Sequence, residues 1–173
     1  MPNKKLEAAL KLARMGFHVF PLEPNSKLPA IDGYPTKATT DEQQIKNWWQ
    51  CPVLQTPLNR NIGISTSRYT VLSDTSSPKQ AALLVVDIDV KDKKRGDLTL
   101  EQMEMLGDEF PPTLTFLTPT GGKHLVYVVD QAVNQRQAEF LGPGLDIRSR
   151  GGYIVAPGSV VEAGTYEMEE SKR

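Results

Sequence analysis

The sequence predicts an α/β (α+β) fold, in which a mixed, largely antiparallel sheet is flanked by helices. Short apolar runs separated by segments rich in glycine and proline indicate several strands with turns between them. Two of these runs, near residues 113–129, form a predicted hairpin, which favours antiparallel pairing. Near residues 4–15 and 40–50, apolar residues instead recur at helical spacing, which predicts a helix in each place.

The composition is that of an ordinary globular protein. Of the 173 residues 39% are hydrophobic and 24% charged, so we expect one domain over residues 1–173. With no apolar run near the roughly 20 residues of a membrane span and no signal peptide core, we expect a cytoplasmic protein without a membrane partner. The single cysteine, Cys51, argues against an internal disulfide and a cysteine-based zinc site. Because the net charge is −1, a polyanion must be bound by a local patch or through metal ions.

The N-terminal part is expected to form a helix followed by a short strand. Residues 4–15 place apolar side chains at helical spacing, and Gly16 is a typical helix end. The strand, His18–Leu22, contains Pro21, which cannot donate a ladder hydrogen bond and therefore favours a sheet edge. We interpret His18, which opens this apolar strand, as a structural residue rather than a metal ligand.

A long loop is expected to separate this strand from the second helix. Residues 23–40 are rich in turn-forming residues and show no periodicity, and a loop of this length in a small domain is usually functional or mobile. Lys27 in this loop is either a phosphate ligand or a solvated lysine, whereas Lys37 is expected at the surface. Thr40 has capping-box spacing to Gln43, which predicts that the helix begins there.

Residues 48–80 are expected to contribute core packing and a strand before a polar excursion. Trp48 and Trp49 lie on the apolar face of the second helix, so we expect core packing rather than stacking on bases. Asn61–Ser65 predicts a short strand, and Tyr69–Leu72 predicts its continuation or its partner. Residues 73–80 are polar and carry no periodicity.

The run Leu83–Val90 combines a predicted buried strand with two carboxylates, Asp87 and Asp89. Because strand side chains alternate between faces, both acids are expected to point the same way. Two acids on one face repel each other unless a cation lies between them, and a hard divalent ion bound by oxygen ligands is the usual solution. Solvation of both acids at a strand-to-loop corner is the other interpretation of this pattern taken alone.

A charged segment and a short helix are expected after these acids. Residues 91–96 include four cations, which either contact a template or a phosphate tail or form a solvated loop. Thr99 has capping-box spacing to Gln102, which predicts a helix over residues 100–106 that Gly107 ends.

The predicted hairpin carries the next group of candidate residues. Its strands, Thr113–Leu117 and His124–Val129, are joined by a turn that contains two glycines. Gly122 would allow close approach of the backbone to a ligand, and Lys123 and His124 offer cationic or hydrogen-bonding groups there. This arrangement predicts a cradle for a polyphosphate.

A third candidate acid lies in a later strand. Gly144–Arg148 predicts a strand in which Asp146 and Arg148, two residues apart, share one face. Another acid within a strand is what a two-metal site would require. Residues 151–156 predict a further strand, and residues 165–168 predict a last strand at a sheet edge.

The D-x-D strand, the TPTGGKH hairpin and the GLDIRSRGGY block, in this order, are together more specific than any one of them. This set resembles the primase–polymerase (prim-pol) domain at the N-terminus of plasmid and phage replication proteins, within the archaeo-eukaryotic primase superfamily. The resemblance runs from GFHVFPLEPNSKLP through TTDEQQIKNWW and NIGIST to RSRGGYIVAPGS. It implies the catalytic core of that superfamily as one domain over residues 1–173, with the N-terminal fragment of a longer replication protein as an alternative.

The resemblance also implies roles for individual residues. Asp87 and Asp89 look like the first metal-binding motif of the family and Asp146 like the third, so these three catalytic acids would hold two Mg²⁺ or Mn²⁺ ions, with no zinc expected. His124 looks like the middle motif, which contacts the phosphates of the incoming nucleotide. Arg148 lies where the family places a basic residue near the triphosphate, and Lys27 matches a recurrent lysine of the N-terminal loop.

The function implied by the resemblance is template-directed nucleotidyl transfer, as a DNA primase and/or DNA polymerase in phage or plasmid replication. The implied partners are a dNTP or NTP, a single-stranded DNA template and a primer. A helicase module or a helical accessory region of a longer protein would be a further partner.

Other functions remain as alternatives at this point. A metal-dependent nuclease would use Asp87, Asp89 and Lys91. A rolling-circle nuclease would need paired histidines and a nucleophilic tyrosine, whereas His18 and His124 lie in distant segments. A catalytically silent DNA-binding module on the same fold is the third alternative, although three acids near DNA phosphates argue against it.

Overall fold

Helices and strands are interspersed along the part of the chain that this computed structural model describes, residues 2–73, 77–136 and 141–170. The helices are α1 (Lys4–Arg14), α2 (Tyr34–Lys37), α3 (Glu42–Trp48) and α4 (Gly96–Met105). The strands are β1 (Phe17–Leu22), β2 (Asn61–Val71), β3 (Lys79–Ile88), β4 (Val90–Lys91), β5 (Lys94–Arg95), β6 (Leu114–Leu117), β7 (Lys123–Val129), β8 (Leu145–Arg148), β9 (Tyr153–Val155), β10 (Val160–Val161), β11 (Gly164–Thr165) and β12 (Glu167–Met168).

A curled antiparallel sheet flanked by helices organises these elements, so the predicted α+β fold class is confirmed. The strand order is β1-β2-β3-β7-β6-β12, with β9 beside β2 and β8 beside β3. The prediction allowed for a mixed sheet, but each strand pairing within the described ranges is antiparallel. β4 with β5 and β10 with β11 form two small separate hairpins.

The long strand β2 changes partners along one of its two edges. That edge pairs first with β9 and then with β3, through Tyr69 opposite Ala81, whereas the other edge pairs with β1 as far as Tyr69. The two short strands predicted over residues 61–65 and 69–72 are therefore one continuous strand. Its neighbour β3 ends at Ile88, so Asp89 lies just beyond the strand.

The two faces of β3 have different surroundings. Leu83 and Val85 point into the main core, which α1 and α3 cover, whereas Val86 and Ile88 lie in a smaller cluster with side chains of α4. Because side chains alternate along a strand, Asp87 continues the face of Leu83 and Val85. The first of the two acids therefore projects from the main core's face of the sheet, at the end where that core stops.

The C-terminal end of α3 contributes the largest buried side chain. Trp49 is fully buried, and its indole Nε1 donates a hydrogen bond to the carbonyl of Arg60 at 2.8 Å. Trp48 is half-buried and packs against the core clusters. The prediction that this tryptophan pair packs in the core is confirmed.

Both predicted capping boxes are wrong. The N-cap of α3 is Asp41, whose carboxylate accepts a hydrogen bond from the amide of Gln44 at 2.8 Å. α4 begins at Gly96, three residues before Thr99, and the Thr99 hydroxyl donates to the carbonyl of Pro143 instead. Gly107 does follow α4, with a φ of 87° that suits glycine at a helix end.

The sheet edges agree with the predictions in part. β1 lies at one end of the strand order, as Pro21 predicted, and His18 on it is buried with Nε2 2.9 Å from the hydroxyl of Thr70. At the opposite end, the predicted strand over residues 165–168 is divided between β11 and β12. The polar excursion over residues 73–80 lies partly outside the described residues. No helix in the described ranges is long and apolar enough to cross a membrane.

Candidate active site

A cavity of about 810 Å³ opens where β3 ends and β7 begins. Five of the eight residues that we predicted for the site line it: Asp87, Asp89, His124, Arg148 and Lys27. The other three, Asp146, Gly122 and Lys123, lie outside its lining. The fold thus brings together residues from three strands and from the N-terminal loop.

The register of the sheet places Asp87 at the centre of the polar cluster. Asp87 pairs with His124 on β7 and with Asp146 on β8. Directly opposed residues of neighbouring strands point to the same face, so the three side chains project together. His124 and Asp146 are buried, at 6% and 8% exposed.

The carboxylate of Asp87 lies between a histidine and an arginine. His124 Nε2 lies 3.5 Å from Asp87 Oδ1, and Arg148 Nη2 lies 3.5 Å from Asp87 Oδ2. The same guanidinium nitrogen lies 3.8 Å from Asp146 Oδ2. Burial by itself would raise the pKa of Asp87, but the hydrogen bond and charge of His124, together with Arg148, outweigh it and lower the pKa below its ordinary value. Asp87 is therefore ionised at neutral pH.

Asp89 is held by backbone contacts and neutralised by a second set of cations. Its amide donates to the carbonyl of Gly144 at 2.8 Å, and its carbonyl accepts from the amide of Gly96 at 2.8 Å. Its Oδ2 lies 3.4 Å from Lys94 Nζ and 3.7 Å from Lys91 Nζ. Asp89 lines the same cavity as Asp87, as the alternation of strand side chains predicted.

The hairpin turn supports the end of β3 rather than the cavity lining. A Cβ atom on Gly122 would lie 2.3 Å from the carbonyl oxygen of Ile88, so this glycine allows the turn to pack on the backbone of β3. The close approach expected for a ligand is thus an approach to the protein's own strand. Lys123 points away from His124, and its Nζ lies 3.4 Å from Glu169 Oε1. The nucleotide-binding roles of Gly122 and Lys123 stay predictions that this geometry does not favour.

Lys27 reaches the cavity because its loop is anchored on both sides. The hydroxyl of Tyr153 donates to the carbonyl of Lys27 at 2.8 Å, and the side chain of Asn61 donates to the carbonyl of Ser26 at 2.9 Å. The ammonium side chain itself is exposed. Lys37, in α2, is exposed and does not line this cavity, in agreement with its interpretation as a surface residue.

Three tyrosines of the cavity wall were not predicted as site residues. The ring of Tyr166 stacks on His124 with 6.3 Å between centroids, while Tyr34 and Tyr153 meet edge to face at 5.2 Å. Burial and the charges of Asp87 and Asp89 raise the pKa of Tyr166 to about 12, so its hydroxyl stays protonated. Local patterns give no signal for these positions, because each tyrosine reads as an ordinary strand or loop residue.

The donor chemistry of the site fits hard divalent cations. Asp87, Asp89 and Asp146 supply carboxylate oxygens, the ligands that Mg²⁺ and Mn²⁺ prefer. Within the ranges that the structure covers, no three acidic, histidine or cysteine side chains are grouped closely enough to form a ready metal site. In the observed arrangement, positively charged side chains neutralise these carboxylates instead. The chemistry of the donors fits a metal, and cation binding would require these side chains to be rearranged.

The curled antiparallel sheet and its acid-lined cavity define an α+β domain of the class expected for a primase-type catalytic core. The family model of the bifunctional DNA primase/polymerase N-terminal domain (Prim-Pol) matches residues 9–173, and the chain belongs to this family. The resemblance stated from the sequence is therefore confirmed. A comparison with curated proteins finds no match. Family membership implies a DNA primase/polymerase nucleotidyltransferase that acts on nucleotides and DNA and depends on divalent metal ions.

Proposed function

We propose that residues 1–173 form one catalytic domain that performs template-directed nucleotidyl transfer by a two-metal mechanism, as a DNA primase and/or DNA polymerase of a phage or plasmid. The observation that carries this proposal is the position of Asp87, which pairs with His124 on one side and Asp146 on the other. A single point of the sheet thereby combines candidate ligands for metal and for phosphate. The substrates would be a dNTP or NTP, a single-stranded DNA template and a primer.

The acids would bind metal ions, and the basic side chains would bind the triphosphate. Asp87, Asp89 and Asp146 would hold Mg²⁺ or Mn²⁺, which when bound would help to deprotonate the attacking 3′-hydroxyl and neutralise charge on the leaving pyrophosphate. His124 and Arg148 lie beside Asp87 and would bind the triphosphate in line with that hydroxyl. Their contribution would be positioning and electrostatic stabilisation, which carry most of the catalysis in phosphoryl transfer.

Lys27 would extend the phosphate site from the N-terminal loop. Its loop is anchored by Tyr153, so the exposed ammonium remains close to the cavity while keeping its freedom to adjust to a ligand. Two neighbouring tyrosines, Tyr34 and Tyr153, form an aromatic part of the same wall.

Extension of a labelled primer on a DNA template, with Mg²⁺ or Mn²⁺ present, tests the proposal. Asp87→Asn and Asp89→Asn should each lower the rate of nucleotide addition at least about a hundredfold, because a metal ligand is lost. Asp92→Asn is the matched control, since Asp92 is exposed in the β4–β5 turn and its positive φ of 42° suits asparagine.

The outcome also separates the alternatives. A primer that becomes shorter would indicate a nuclease, and DNA binding without any incorporation would indicate a silent binding module. Full activity of Asp87→Asn or Asp89→Asn would contradict the mechanism.

A further inference from the structure

The β4–β5 hairpin places two lysines on one carboxylate oxygen. Lys94 Nζ lies 3.4 Å and Lys91 Nζ 3.7 Å from Oδ2 of Asp89. Lys91 also lines the cavity that contains Asp87 and Asp89. The charged segment after the acids, which the sequence left open between ligand contact and a solvated loop, is thus an ordered hairpin directed at the site.

The pairing within the hairpin explains why an anion is needed between these lysines. Lys91 and Lys94 are directly opposed across β4 and β5, so their side chains share one face. Like charges in this position repel each other and destabilise a pair of strands. The carboxylate of Asp89 lies within ion-pair distance of both ammonium groups and offsets that repulsion.

The other cations of the segment are not involved in this contact. Arg95 donates two hydrogen bonds to Asp97, at 2.9 and 2.6 Å. Lys93, in the exposed turn of the hairpin, makes no ion pair with any residue that the structure describes. The geometry therefore singles out Lys91 and Lys94 from a run of similar residues.

A divalent cation bound to Asp89 would neutralise the same carboxylate that the two ammonium groups now neutralise. The lysines carry long flexible stems and are 49% and 40% exposed, so they are free to leave when such a cation arrives. Once displaced, they remain close to Asp89 because the hairpin is tied to Asp89 through the amide of Gly96. An incoming polyphosphate would then offer them a new anionic partner.

We propose that Lys91 and Lys94 are exchangeable counter-ions, which neutralise Asp89 in the metal-free protein and transfer to the polyphosphate of the nucleotide when a divalent cation binds. This inference rests on the proposed function and adds a role for two residues outside the three acids. It requires one substitution to change two affinities in opposite directions. Removal of either lysine strengthens cation binding and weakens nucleotide binding.

Direct binding measurements without primer or template test this. Mn²⁺ binding is followed by the electron paramagnetic resonance signal of the free ion, for the wild type and for Lys91→Gln, Lys94→Gln and Lys93→Gln, which all change the net charge equally. Loss of one partly exposed ion pair corresponds to an affinity change of up to about fivefold. We therefore expect Lys91→Gln and Lys94→Gln to bind Mn²⁺ about two- to fivefold more tightly, and Lys93→Gln to stay within about 1.5-fold of the wild type.

At saturating Mn²⁺, calorimetry with a nucleoside triphosphate should show weaker binding for Lys91→Gln and Lys94→Gln and no comparable change for Lys93→Gln. An equal response of all three variants, or unchanged nucleotide affinity, would overturn the inference while leaving the proposed function intact. Asp89→Asn distinguishes failure of the proposed function from failure of this inference alone. If Asp89→Asn leaves Mn²⁺ binding unchanged, the metal site of the proposed function is refuted, and this inference fails with it.

Discussion

Replacing Asp87 with asparagine is expected to destabilise the metal-free protein, although Asp87 is a proposed catalytic residue. Acids in active sites repel one another when uncompensated, and their removal then stabilises the fold. Here Asp87 lies 3.5 Å from both His124 and Arg148, and these two partners outweigh burial in lowering its pKa. Asparagine keeps the shape of the side chain but removes the charge that these partners face.

The expected size follows from the burial of the ion pair. At an effective dielectric constant of about 20, two charges 3.5 Å apart attract by about 5 kcal/mol, most of which desolvation cancels. Exposed pairs contribute up to about 1 kcal/mol, and breaking a buried pair costs about 3–5 kcal/mol. The side chains of Asp87 and Arg148 are 14% and 29% exposed, which lies between these cases. We expect Asp87→Asn to lower the free energy of unfolding by about 1–3 kcal/mol.

Urea unfolding at pH 7 in the presence of a chelator measures this difference, with Asp92→Asn as the control that should stay within about 0.5 kcal/mol of the wild type. The folded-state pKa of Asp87 lies below its ordinary value, so its contribution is complete above that value and is lost as the pH falls through the folded-state pKa. The difference between wild type and Asp87→Asn should therefore shrink below about pH 4. An asparagine variant more stable than the wild type at pH 7 would refute the reasoning, since repulsion among the acids would then dominate.

Three further predictions concern the surroundings of this cluster. His124→Ala should raise the KM for nucleotide more than it weakens DNA binding, whereas Lys123→Ala should leave that KM within about twofold, because the ammonium group of Lys123 pairs with Glu169. Steady-state primer extension and a DNA-binding titration measure these effects, and an equal effect of the two variants would contradict the geometry. Gly122→Ala should lower the free energy of unfolding by about 1–3 kcal/mol, because the added Cβ would lie 2.3 Å from the carbonyl oxygen of Ile88. An unchanged midpoint of urea unfolding would contradict this packing. Tyr166→Phe should retain the ring contact with His124 and keep the KM for nucleotide near the wild-type value, whereas Tyr166→Ala should raise this KM. An equal rise in KM for both variants would show that the hydroxyl of Tyr166, and not its ring, contributes to nucleotide binding.

Features that depend on neighbouring residues could be predicted from the sequence. Asp87 and Asp89 line one cavity because side chains alternate along the chain, whichever strands lie beside them. The hairpin of β6 and β7 follows from two apolar strands and a turn with two glycines. The same alternation already separated Lys123 from His124, so the divergence of these two side chains could have been predicted as well.

Features that depend on contacts between distant segments could not be predicted from the sequence. The helix α4 begins at Gly96 because its backbone packs against Gly144 and Asp89, where a Cβ would lie 2.5 Å from the carbonyl oxygen of Gly144. Nothing between residues 96 and 102 indicates this contact, and the spacing of Thr99 and Gln102 pointed to a later start. Tyr166 likewise reaches His124 through a chain segment more than forty residues downstream.

The sequence by itself determined the chemistry of this protein: which acids, cations and glycines occur, and in an order that identifies the family. The tertiary structure alone decided how these groups are combined. Strand register is set by pairing between distant segments, and it placed Asp87 between His124 and Asp146. The β4–β5 hairpin depends on its cross-strand pairing and on the contact of Gly96 with Asp89. This hairpin places two lysines of the charged segment, Lys91 and Lys94, beside the carboxylate of Asp89.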